Sequence, residues 1–395
     1  MKGFKVFLKV VLVLVAAFAI TWYAVGEGGP LNAQAKAYAA ENGISGSLEW
    51  LIGPVDEVVE TTEENAADSK EPAEEDIPAK EELSAEDLNT SIVFTGDIEI
   101  SEYVQANYDA GGVDSVADSS IQSLLKDATF TMVNNEFCYS TRGEKAPDKQ
   151  YTFRVDPSYV GLLTDLGVDI AGLANNHVLD YGHDALTDTF TTLTDAGIEY
   201  VGAGNSLDEA AKLVTKTDAK GRTYGFLAAS HVIPVYSWNV EDSQPGVFCF
   251  YDETELLSRI EEYSAQVDYL FVFVHWGVEH TTELTDYQAN DAYKMIDAGA
   301  AAVIGMHSHC LQPVEYYNGK PIFYSLGNFI FNQNIKSGGG GAVEFSIDEN
   351  DNVQYRIIPV VASGACTSID ENGYSYVESI STNVHVDENG YISEK

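Results

Sequence analysis

From about residue 90 onward, short apolar runs alternate with amphipathic stretches. Ser91-Ile-Val-Phe-Thr-Gly-Asp97 is a compact apolar run that ends in Gly-Asp. Residues 128–133, 169–173, 199–201, 224–229, 269–274 and 302–305 repeat that form. Runs of this length, rich in β-branched and aromatic side chains, predict strands. Between them the apolar spacing lengthens to three and four. It predicts a helix over 157–166, where Pro157 opens the element and Tyr159, Leu162, Leu163 and Leu166 share a face. Further helices are predicted over 184–196, stopped by Gly197, and over 254–266 and 287–298. Strands alternating with helices predict an α/β layered domain.

The pattern changes at both ends. After Gly338-Gly-Gly-Gly341, residues 342–347 and 353–361 flank Asp348-Glu-Asn-Asp351 and predict a hairpin. Asp370-Glu-Asn-Gly373 and Asp387-Glu-Asn-Gly390 predict two more hairpin turns. Residues 338–395 are thus expected to form a β-rich extension that packs on a domain at 90–337. At the other end, residues 10–25 carry no charge and follow Lys2, Lys5 and Lys9. With Lys9 able to snorkel, this run approaches the roughly 20 residues a bilayer span needs. The basic flank orients the N-terminus inside. A cleaved signal peptide, cut near Ala33-Gln34-Ala35, is one reading. The gap from Val25 to Ala35 is long for a cleavage region and favours an uncleaved signal anchor. Either way the remainder is exported: a single-pass cell-membrane protein with its C-terminal domain outside, or a secreted one. Residues 26–89 read as an acidic linker, because 56–89 hold too little apolar surface to order themselves.

Charge narrows the partners. Sixty-two acidic against 21 basic residues leave a net charge of −41. Such a surface repels polyanions, which argues against nucleic acid as a partner unless bound metal ions reverse the field locally. Four cysteines, Cys138, Cys249, Cys310 and Cys366, are too few for a disulfide scaffold, and their pairing stays open.

Candidate chemistry gathers where the predicted strands end, the place α/β sheets put it. Asp97, Glu136, Asn176 with His177, His275, and His307 with His309 all fall there. Oxygen and nitrogen donors without thiolate suit Mn, Fe or Zn. In an extended H-x-H both imidazoles project to one face, and the same spacing brings Glu99 to the side of Asp97. Trp276 reads as a packing wedge, and His231 and His280 as further candidates to line a pocket. Arg142, Lys145, Lys149 and Arg154 stand out as cations in an acidic chain that are candidates to meet an anionic substrate.

The ordered set is Gly96-Asp97, Asn135-Glu136, Ala174-Asn-Asn-His177-x-x-Asp180-x-Gly182, His275-Trp-Gly-x-Glu279, Gly305-x-His307-x-His309-x-x-Gln312-Pro313-x-Glu315 and Tyr324-Ser-Leu-Gly-Asn-Phe329. Over about residues 91–332 it resembles the poly-gamma-glutamate capsule biosynthesis (CapA-type) family, within the calcineurin-like metallophosphatase fold group. The resemblance implies a layered sandwich of two mixed β-sheets flanked by helices. It also implies two divalent metal ions, with Asp97 on the first, Glu136 bridging and Asn176 on the second. His275, His307 and His309 would complete the shells, and His177 would serve as acid or oxyanion donor. Asp180 and Glu279 would stand behind the ligands or face the substrate, where Arg154, read from its charge alone, is also placed. Two positions depart from the wider group: Asp97-Ile-Glu99 replaces its D-x-H, and Glu136 replaces its bridging Asp. The implied activity is metal-dependent hydrolysis or transfer on a phosphoester or related bond of an anionic cell-surface polymer. The alternative is a non-catalytic, metal-bearing component of a polyglutamate synthesis and export complex, beside membrane-bound synthase subunits.

Overall fold

The structure is a computed structural model and describes residues 88–395, except 242 and 243. The predicted anchor at 1–25 lies outside the described residues, as does nearly all of the acidic linker. Among the described residues no helix is long and apolar enough to cross a membrane.

Along the main order of two sheets, the strands are β1 (Thr90–Ile98), β2 (Phe130–Asn135), β3 (Ile170–Gly172), β4 (Glu199–Val201), β5 (Val214–Thr217), β6 (Thr223–Ser230), β7 (Tyr269–His275), β8 (Ala302–Met306), β9 (Val314–Tyr317), β10 (Lys320–Phe323), β11 (Asn334–Ile335), β12 (Gly341–Ile347) and β13 (Val353–Ser363), while Asn328–Ile330 pairs with β1 and Cys366–Ile369 with β13 off that order. The first sheet runs β11-β13-β12-β1-β2-β3-β4 and the second β9-β10-β8-β7-β6-β5. Both are mixed. In the first, β1 to β4 are parallel, and β12 and β13 are antiparallel additions. In the second, β6, β7, β8 and β10 are parallel, with β5 and β9 antiparallel at the edges. The expected sandwich of two mixed sheets with helices outside is therefore the fold.

Alternation along β7 sets the layers. Phe271 and Phe273 face the first sheet, where Phe94 of β1 lies 4.9 Å from Phe271 between ring centroids. Leu270, Val272 and Val274 face outward into a second apolar cluster. That cluster is closed by helices α5 (Thr254–Ser264) and α6 (Asp286–Asp297). The first sheet carries α1 (Glu102–Gly111), α2 (Ser119–Lys126), α3 (Val160–Asp165) and α4 (Gly182–Asp195). His275 follows Phe271 and Phe273 at two-residue spacing, so it lies on the face between the sheets.

The tail after Gly338 enters the first sheet itself: β12 pairs with β1 from Thr90↔Ile347 to Thr95↔Ala342. The two Asp-Glu-Asn-Gly segments part ways. The second turns a hairpin between Val384–Val386 and Ile392–Glu394, as predicted. The first instead leads into a helix, α7 (Gly373–Ile380), because the residues after it bury Val377. All four cysteines are free.

Candidate metal centre

Parallel strands in both sheets point their C-terminal ends at one place. Strict alternation would turn Asp97 away from the second sheet, since Phe94 faces it. The β1–β2 register corrects this: Phe94↔Met132 is followed by Asp97↔Asn134, one extra residue on β1. Such a bulge re-aims a side chain. The turn is tight. A Cβ on Gly96 would sit 2.1 Å from Gly327 O, so only glycine fits there. Asp97 N–H donates to the same carbonyl at 2.7 Å.

Asp97 Oδ1 accepts from Asn134 Nδ2 at 2.8 Å, and Asp97 Oδ2 from the His307 N–H at 3.3 Å. His309 Nδ1 lies 3.5 Å from Asp97 Oδ2 and 2.9 Å from Asn328 Oδ1. His275 Nε2 lies 2.9 Å from Asn176 Oδ1 and 3.5 Å from Glu136 Oε1. Two sets of donor atoms each fall within 4.8 Å of one another: Glu136, His275 and His307, and Asp97, Glu136 and His309. Glu136 belongs to both. Asn176 adjoins the first set through His275.

These residues fit a cation. Neither carboxylate oxygen of Glu136 has a hydrogen-bond partner, nor does His307 Nδ1, and all three atoms are buried. A buried carboxylate without donors costs several kcal/mol unless something positive faces it. In the protein alone, burial and then the neighbouring Asp97 hold the Glu136 carboxyl well above its usual range. Burial also raises Asp97, against His309 and Asn134. It drives His275 far below the ordinary histidine value and His307 down to about 3. Neutral imidazoles and a carboxylate lacking hydrogen bonds are the states a divalent ion takes as ligands. The cluster can therefore hold a metal ion.

Beside it stands a polar triad. His177 Nδ1 is 2.7 Å from Asp180 Oδ2, which also accepts from the Phe153 N–H at 2.7 Å. Lys149 Nζ contacts Asp180 Oδ1 and the Asn176 carbonyl, and lies 3.0 Å from His177 Nδ1. Phe153 stacks on the His177 ring at 4.3 Å. With Nδ1 so engaged, Nε2 is the ring nitrogen left to meet a ligand.

The structure thus brings together Asp97, Glu136, Asn176, His177, Asp180, His275, His307 and His309. Glu99 joins neither donor set; it is buried nearby, and burial and then Glu102 raise its carboxyl to about 8. Glu279 is exposed at the rim, next to His280, whose ring is 5.7 Å from that of His309. Arg154 lies apart, over the Tyr181 ring and donating to the carbonyls of Arg142 and Gly143. Arg142 is paired with Asp188. His231 turns to the outer side and stacks on Tyr287 at 3.9 Å. Trp276 is fully buried and donates to Tyr324 O. Strand parity does not explain the H-x-H pair. His307 and His309 lie past the end of β8 with φ of 96° and 53°, and they serve different donor sets. Neither Asn134 nor Asn328 received a role from the sequence, although Asn328 stands in the Tyr324–Phe329 motif. Asn134 carried a signal, standing two residues before Glu136 on the same strand end.

Fold and cluster together define an α/β sandwich protein with a group of side chains at its strand ends that can hold a metal ion. The chain belongs to the family described as bacterial capsule synthesis protein PGA_cap, whose model matches residues 91–333. It is 30% identical over 273 residues to the PGA biosynthesis protein CapA of Bacillus subtilis (strain 168), covering 68% of this chain and 71% of that one. It is 27% identical to the capsule biosynthesis protein CapA of Bacillus anthracis, covering 70% and 68%. A Mycobacterium tuberculosis protein (strain CDC 1551 / Oshkosh) named as a probable polyglutamine synthesis accessory protein is 35% identical over 208 residues. That match covers 50% of this chain and about half, 54%, of the mycobacterial one.

Proposed function

We propose that this protein is a membrane-anchored, extracellular CapA-type component of anionic polymer synthesis, carrying a dinuclear metal centre that acts on a polyglutamate-type polymer. The shared position of Glu136, buried, lacking hydrogen bonds and common to both donor sets, is the observation that carries the reading. Asp97, Glu136 and His309 would hold one ion, and Glu136, His275, His307 and Asn176 the other, with Mn, Fe or Zn suiting the donors. Such ions supply charge for an anionic group and lower the pKa of water toward neutrality. The chain's own part is orientation and proton transfer. Asp180 fixes the His177 ring through Nδ1, and Nε2 then faces a leaving oxygen as donor. Lys149 offsets the Asp180 charge. The names borne by the Bacillus and mycobacterial relatives support the polymer class. The lysine-flanked run at 10–25 supports anchoring at the cell membrane, where synthase subunits would be partners.

Metal content of the full-length protein, with turnover of a generic phosphoester with and without Mn, tests this reading. About two ions per chain and Mn-dependent turnover lost in His177→Ala are the expected results. A protein that binds no metal, or whose His307→Ala variant keeps full activity, contradicts it. Glu99, outside both sets where the wider fold group has a histidine, favours a second reading: a metal centre that binds polymer carboxylates without cleaving. Metal binding and carboxylate binding with no turnover of any ester or amide would select it.

A further inference from the structure

Phe331 is a phenylalanine out of place. It is only half-buried, yet it joins neither of the two apolar cores. Its aromatic neighbours are instead His309, at 4.9 Å between centroids, and Phe153, edge-on at 6.0 Å. Phe153 in turn stacks on His177. The four rings form an arc from one metal-donor set to the candidate proton donor: His309, Phe331, Phe153, His177. They come from two regions of the chain distant in sequence, 153–177 and 309–331. A half-buried Phe beside a polar cluster leaves part of its apolar area in water, which costs roughly 25 cal/mol per Å² and is recovered only when something apolar covers it. The cation nearest this arc, Lys149, is already engaged by Asp180.

We propose that Phe153 and Phe331 form an apolar subsite beside the metal centre, which takes the aliphatic stem of a ligand whose anionic head sits on the metals. This rests on the metal reading above and sharpens it. The ligand class is a carboxylate or phosphonate-like anion carried on a stem of two or three methylenes, not a compact inorganic anion. A gamma-linked glutamate residue, whose free α-carboxylate stands on a carbon that continues into two methylenes, has that form.

The test is calorimetric titration of the Mn-loaded, full-length protein with methyl-, ethyl-, propyl- and butylphosphonate. Affinity should rise about two- to fourfold per methylene up to propyl. Phe331→Ala should flatten the series, and Phe331→Leu should keep most of its slope. Thermal melting of each variant reports whether it is folded. Phosphonates that bind with no dependence on chain length, or a Phe331→Ala variant that keeps the slope, overturn the subsite alone. Failure of every phosphonate to bind in the presence of Mn overturns the metal reading and the subsite with it.

Discussion

Glu136 is the residue on which the site turns. A side chain optimised for stability would not sit buried with both oxygens lacking donors. Glu136→Met should therefore weaken Mn binding more than about 100-fold, beyond what loss of an outer-shell partner costs. The metal-free variant should nonetheless be about 1–3 kcal/mol more stable than the metal-free wild type by urea denaturation. An unchanged Mn affinity, or a metal-free variant that is less stable, would contradict this. Glu99 gives a pH signature. Its folded-state carboxyl is raised to about 8 from 4.5, by burial and then Glu102. The folded chain keeps a proton that the unfolded chain releases, so the stabilisation is complete below pH 4.5 and is lost as pH rises toward 8. Metal-free protein should lose on the order of a few kcal/mol between pH 5 and 8, and Glu99→Gln should make that slope shallower, leaving the part that the raised Asp97 and Glu136 carboxyls contribute in the same sense. At this scale the candidate metal donors were legible because each stands at or just past the end of a predicted strand. Lys149 was not, because it sits in a loop where no periodicity marks direction; only its rarity as a cation drew notice. Spacing placed the end of β8 within one residue of Met306, but it could not show the left-handed backbone at His307 and His309, which serve different donor sets.

At the scale of elements, the strand ends form the site and a polar clamp ties the sheets. Asp218, just past β5, accepts from Thr90 of β1, from Tyr224 of β6 and from Arg222. Arg222 also donates to the carbonyls of Leu88 and Asp348. Burial would raise the Asp218 carboxyl, but these hydrogen bonds hold it down to about 2. Its contribution is thus complete above pH 3.8 and is lost as pH falls through 2. Asp218→Asn leaves the buried Arg222 with only the exposed Asp351, 3.2 Å away, as a carboxylate partner and should cost about 3 kcal/mol by denaturant titration. Mn affinity should be unchanged, since no clamp residue belongs to either donor set. A loss of Mn affinity would show that the sheets couple to the centre. The long strands were readable from their apolar runs. α1 was not, because Val104 is its only buried residue. α2 carried a signal that spacing alone passes over: Asp118 caps it, accepting from the Ser120 and Ile121 N–H groups. α7 shows the limit of turn motifs, since an identical tetrapeptide turns a hairpin at Asp387 and begins a helix at Asp370.

For the whole molecule, the excess of negative charge sets how ligands arrive. An anion approaching a surface of net charge −41 meets repulsion that salt screens, with a Debye length of about 10 Å at 0.1 M. Stopped-flow association of a small anionic ligand with the Mn-loaded protein should therefore quicken from low to moderate ionic strength. Slowing would mean that the metals, not the surface, dominate the field at the site. The sandwich explains how so acidic a chain builds such a centre: two sheets converge their strand ends and bury Asp97, Glu136, His275 and His307 together. Anomalous diffraction at the Mn edge from crystals of the Mn-loaded protein tests that convergence most directly. The account predicts two peaks, both at bonding distance from the Glu136 carboxylate and both lost in Glu136→Met. Density with no anomalous peak at Glu136, or peaks that persist in the variant, would contradict it.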